Sequence, residues 1–355
     1  MPVKTQLPRS VPLTDFLRLT DGQTRLESFE HARHFYIEYH ALLCQAGIYS
    51  CAGILLSAAR ALAKPAPVDA APDCTDLVIF DGCSASGLRT VADLGLAPLL
   101  DIRPQSFLGY LDKRAQWRCA TRLARAVSRP RHFFALLFDA YASVTTAVLE
   151  RKPACNGVVA ANERSLGCAP FLVAAKFIHQ RQATVVQHGN PIGDYLPTVA
   201  DEYWCRSDRW FGYLQAHALV SRLRRVSDFP VLNAIDYDPQ RRHAVLVMHN
   251  VGYLEPNLDY AQLSSKIKAA CRGAGWTLHV LQHPANRETY GLPVVDRRTA
   301  FKAALAIGYR STATDQLTRE MPRVSLLDYW PDFFLRQGRP EQLDDYLLRI
   351  GEALT

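Results

Sequence analysis

The chain has nine cysteines but no CxxC pair, and the count is odd. That spacing suits neither a zinc cluster nor a disulfide framework, so reduced thiols in a cytosolic compartment are expected. The first twenty residues lack the apolar core of a secretory signal. No internal repeat is present. The longest stretch without Asp, Glu, Lys or Arg, residues 39–59, still contains His40, Gln45, Tyr49 and two serines. It reads as a buried helix rather than a membrane span. No metal and no resident cofactor are expected.

What is present is ordinary globular material. Hydrophobic residues make up 48% and charged residues 21%, which excludes a disordered or fibrous chain. A length of 355 residues suggests about two domains. The balance of 41 basic and 34 acidic residues, +7, suits contact with phosphates or an anionic membrane surface. Read as a diffuse excess, it gives no case for a nucleic-acid partner.

Short apolar runs alternate with helical patterns, the mark of parallel α/β sheets. Residues 77–80 (LVIF), 157–160 (GVVA), 184–187, 203–205, 244–248, 277–282, 305–309 and 324–327 read as strands. Residues 25–60, 170–180, 210–226, 260–273, 313–320 and 342–354 read as helices, with a basic helix at 113–128. Turn signals at Asp228, Pro230, Asp236, Asp238 and Pro239 place a boundary, giving domains 1–227 and 228–355. Two Rossmann-like domains would face each other across a cleft, with ligands outside the carboxyl ends of their strands.

Polar residues gather at those ends. LHVLQHPANR ends a strand at His283, Pro284 breaks it, and Arg287 follows; imidazole and guanidinium suit phosphate oxygens. LAIGYRSTATDQ runs a strand into Arg310, Ser311 and Thr312 at a helix start, an anion site or a simple N-cap. Asn250 ends a third strand. In TVVQHGNPIGD, Gln187, His188 and Gly189 end a buried strand and Asp194 follows. VVAANERS puts Glu163 after the preceding strand, where a carboxylate beside an imidazole makes a base or an orienting pair. The loop DGCSASG, 81–87, resembles the glycine-containing first loop of S-adenosylmethionine-dependent methyltransferases, with Asp101 placed for a ribose.

The order of these motifs is more specific than any one of them. NERS, TVVQHG, the stretch ADEYW, LHVLQHP and a strand ending in STA together resemble bacterial surface-polysaccharide glycosyltransferases of the GT-B fold. The likeness is to the capsule, Kdo- and sialic-acid-transferring groups and to CDP-glycerol glycerophosphotransferases, and it covers about residues 155–330. The resemblance implies a metal-independent transferase acting on a cytidine-linked or other nucleotide-sugar donor and a glycan or lipid-linked glycan acceptor. It implies His283, Pro284, Ser311 and Thr312 as donor ligands and Gln187, His188 and Gly189 at the reaction centre. The strand-end reading adds Asn250, Arg287 and Arg310 to the donor side, with Gln187 and Gly189, and puts Glu163, His188 and Asp194 in catalysis. The +7 charge, the basic 113–128 segment and the lack of a convincing span give the expectation of a cytoplasmic protein, peripheral at the inner membrane where it meets one. Gln282 stands where the family has Lys before its His-Pro, and Asp81-Gly82 carries one acid where sialyltransferases pair two. The donor sugar is left open, and the methyltransferase reading stays as the alternative.

Overall fold

The computed structural model describes residues 25–45, 47, 50–62, 75–80, 85–96, 99–189, 197–216, 220–232, 234–247, 260–282, 289–296, 298, 300–308, 312–325 and 340–355. The chain divides into two compact units, 1–227 and 228–355.

Unit 1 is built on a parallel sheet: β1 (Asp76–Phe80), β2 (Leu99–Asp101), β3 (Gly157–Ala160), β4 (Gln182–Val186), β5 (Glu202–Cys205) and β6 (Arg222–Arg225). The order is β2-β1-β3-β4-β5-β6. Val78 pairs with Val159, Val159 with Thr184, and Val185 with Tyr203. The middle strands are apolar on both faces because helices cover both. These are α1 (Phe29–Gln45), α2 (Cys51–Leu62), α3 (Ala85–Asp93), α4 (Lys113–Ala126), α5 (Pro130–Leu149), α6 (Cys168–Phe177) and α7 (Asp208–Ala216). In α6, eight consecutive residues from Cys168 to Ala175 are buried. A helix apolar all round belongs in the middle of a core, and α6 packs between α1, α5 and strands β3 and β4.

Unit 2 repeats the winding. The strands β8 (His243–Val247), β9 (Thr277–Leu281), β11 (Leu305–Gly308) and β12 (Arg323–Ser325) form a parallel sheet in the order β12-β11-β8-β9. The strands β7 (Ile235–Tyr237) and β10 (Phe301–Ala303) pair separately. Successive residues of β8 feed opposite cores. Ala244 and Leu246 meet α8 (Tyr260–Gly273) and α10 (Pro340–Leu354) through Leu263, Ile267, Tyr346 and Ile350. Val245 and Val247 meet Ile235, Val295, Leu317 and Met321 on the other face.

The α/β class and the parallel strands agree with the sequence pattern; β2, β7, β10 and α5 are absent from it, Asp236 lies in β7 rather than in a turn, and three further stretches differ. The expected helix over 210–226 stops at Ala216, and residues 222–225 form β6 instead. This edge strand reads RLRR, with no apolar run to announce it. The expected helix over 313–320 is a single turn, α9 (Thr312–Asp315). The uncharged stretch 39–59 is not one helix: α1 ends at Gln45, Gly47 takes φ +77°, and α2 begins at Cys51. Among the described residues one helix is long and apolar enough to cross a membrane, α5, with mean hydropathy 1.4 and 56% of that window buried.

Candidate functional site

In an open parallel sheet the ligand crevice lies where the strand order reverses, outside the carboxyl ends. In unit 1 that point is between β1 and β3, and in unit 2 between β8 and β11.

In unit 1 the residues after β3 and β4 meet. One ring nitrogen of His188 bonds the Ala161 backbone, which raises its pKa slightly, but desolvation dominates and draws the imidazole down to about 4. His188 is therefore neutral at pH 7. Gln187 is wholly buried. Its Nε2 donates to the Gly189 carbonyl at 3.0 Å and to Ser207 Oγ at 3.1 Å. Its Oε1 accepts from the backbone N–H groups of Arg206 at 2.7 Å and Ser207 at 3.0 Å. With donors and acceptor so engaged, Gln187 holds His188 and the buried Gly189 in place rather than reaching for a donor.

Glu163 turns inward. It is 1% exposed, and Thr198 Oγ1 donates to its Oε2 at 2.6 Å while accepting from the Ala200 N–H at 3.0 Å. The neighbouring Arg164 is also buried, donates to the Pro197 carbonyl at 2.5 Å, and lies 4.8 Å from the Phe35 ring centre. Burial raises the Tyr36 hydroxyl; Arg164 partly offsets that rise and Glu163 adds to it. Glu163 thus departs from the expected open base: it anchors the loop after β3 to residues 197–200. Arg206, which the motifs did not mark, is 2% exposed and donates to Thr90 at 3.2 Å, Asp93 at 3.3 Å and the Ser227 carbonyl at 3.2 Å. Nothing in the local sequence separates such a buried Arg from a ligand-binding one.

In unit 2 the strand ends are level. Val247 pairs with Leu281 on one side and Gly308 on the other. The sequences that leave these three neighbouring strands carry Asn250, His283, Pro284 and Arg287, and Arg310 with Ser311. These residues, and Asp194 in unit 1, lie outside the described residues, as do residues 81–84 of the glycine loop. Thr312 opens α9. A Cβ on Gly308 would lie 2.5 Å from Thr314 Oγ1 and 2.9 Å from its Cγ2, so only glycine lets this turn pack on the strand end. The Gly308 carbonyl also accepts from the Tyr346 hydroxyl at 3.0 Å. One helical turn carries little macrodipole, so any anion held here would depend on side chains and local N–H groups.

The rival ribose acid is already engaged. Asp101 receives Arg103 Nε at 2.8 Å and Nη2 at 2.6 Å, with Ser106 Oγ at 3.2 Å. Burial pushes its carboxyl up, and the Arg103 and Ser106 contacts outweigh that and hold it below the usual range. Among the described residues no group of three or more His, Cys, Asp or Glu side chains is placed to hold a metal. No family model matches the chain, and neither a curated protein nor a solved structure matches it at a significant level.

Proposed function

We propose that the protein is a GT-B-type glycosyltransferase that moves a sugar from a nucleotide donor, cytidine-linked in the first instance, to a bacterial surface-glycan acceptor. The observation that carries this reading is the level end of three neighbouring strands, β9, β8 and β11. The sequence puts His283, Asn250 and the Arg310-Ser311-Thr312 group immediately after them. Phosphate oxygens need several donors converging from adjacent strand ends, and this order supplies them.

In the proposed reaction unit 2 holds the donor. The acceptor hydroxyl oxygen forms a bond to the anomeric carbon, and its proton passes to a side-chain base, for which His188 is one candidate. The bond from that carbon to the donor phosphate oxygen breaks, and the nucleotide leaves with the electron pair. Asp194 is the second candidate for the proton. Glu163 acts through Thr198 on the loop, as a positioning residue.

Thermal shift and calorimetry with CMP, CDP, UDP and S-adenosylhomocysteine test the reading. A cytidine nucleotide should raise Tm, and His283→Ala should weaken its binding by about ten- to a hundredfold, the range of a lost charge-assisted hydrogen bond. Stabilisation by S-adenosylhomocysteine alone would replace this reading with the methyltransferase. His188→Ala should lower turnover by about 10²–10⁴ with nucleotide binding kept.

A further inference from the structure

The charge of this protein is not diffuse. From residue 113 to residue 138 there are seven basic side chains and no acidic one. Without them the chain has 41 − 7 = 34 basic residues against 34 acidic, so the whole excess of +7 lies in this segment. Four of the seven, Arg114, Arg118, Arg122 and Arg125, recur on α4 at spacings of four, four and three. At about 100° per residue they fall within about 80° of arc, and all four are exposed. The opposite face, with Gln116, Leu123 and Ala126, is buried in the unit. Arg131, outside the stripe, is held by Glu38 at 2.9 Å.

Beside the stripe α4 and α5 border a groove of about 600 Å³. Exposed Arg118, Arg122 and Arg125 line it together with the partly or fully covered Leu111, Leu136 and Ala140. Its one acid, Asp139, already receives Arg33 through bonds of 2.8 and 3.0 Å. Trp117, also on the lining, is 62% exposed.

We propose that this face docks on an anionic phospholipid membrane. Guanidinium groups take phosphate oxygens in pairs, and Trp side chains favour the headgroup level. The apolar lining next to the arginines gives acyl-chain segments a place, whereas a nucleic-acid backbone would leave it unmatched. The inference is independent of the transferase reading, and its test measures no turnover.

The test is sedimentation of the full chain with vesicles of phosphatidylcholine, alone or with roughly 30 mol% phosphatidylglycerol. Binding should appear only with the anionic lipid and be lost in about 0.5 M salt. The triple variant R118Q/R122Q/R125Q should bind about a hundredfold more weakly, at roughly fivefold per cation near the surface. A control, K266Q/R272Q on α8, should bind as the parent does. The parent's Trp emission should shift to the blue on vesicles, and Trp117→Phe should remove most of the shift. Equal binding to neutral vesicles, or a triple variant that binds like the parent, would overturn the proposal. So would a DNA or RNA duplex that binds more tightly than vesicles in the same buffer and needs the same arginines.

Discussion

His40 lies under Tyr39 and Phe134, with ring centres 5.1 and 5.6 Å away. Burial first, and the Arg164 charge second, draw it down to about 3, and desolvation draws His188 to about 4. In the unfolded chain both titrate near 6.5. The unfolded state therefore binds protons that the native state refuses as pH falls from about 6.5 to about 4 for His188 and to about 3 for His40, and stability drops over that window. Above it neither group contributes a slope. Each adds at most about 1.4 kcal/mol per pH unit, His188 less because it is partly exposed. Melting curves between neutral pH and the acid end of the window should show the fall, and His40→Phe should make it shallower. A melting temperature unchanged across the window would contradict the assignment. Gly308 gives a second test at the same scale. Thr314 is 2% exposed and β-branched, so it cannot swing away from a new methyl group. Gly308→Ala should cost about 1–3 kcal/mol by overpacking, and Thr314→Ala in the same chain should restore part of it. Denaturation of the two single variants and the double variant reads the coupling. Additive losses would mean that the two residues do not meet.

Among the elements, β6 was the least legible and is the most instructive. Strands such as GVVA announce themselves because both faces are buried and only apolar side chains fit there. The RLRR strand sits at a sheet edge, where its arginines reach sideways: Arg224 lies 5.0 Å from the Trp204 ring centre, and Arg225 pairs with Asp208 at 2.7 Å. Charge on a free edge deters pairing with another chain. R222T/R224V should change the melting temperature little, since exposed pairs are worth under about 1 kcal/mol. It should promote concentration-dependent association, read by light scattering. A variant that stays monomeric at every concentration would show the arginines to be neutral there. The roles of Glu163 and Gln187 were illegible for a different reason. Each is settled by a residue far along the chain, Thr198 for one and Ser207 for the other. A polar side chain at a strand end looks the same in sequence whether it faces a ligand or ties down a loop.

At the scale of the whole molecule the boundary was legible because turn residues cluster after 226 and the α/β pattern restarts beyond them. The one-sided charge was legible too, once counted by segment rather than over the full length. What the sequence could not reveal is the strand order in each unit. Read from their outer strands, β2-β1-β3-β4 in the first matches β9-β8-β11-β12 in the second. Among the described residues neither sheet takes a strand from the other, and the junction residues Ser227 and Asp228 are exposed. Such a chain is modular in the sense that matters for descent. Recombination at the junction would exchange one strand ladder whole and leave the other as it is. A lineage built this way can take up a new partner for one unit while keeping the old partner of the other.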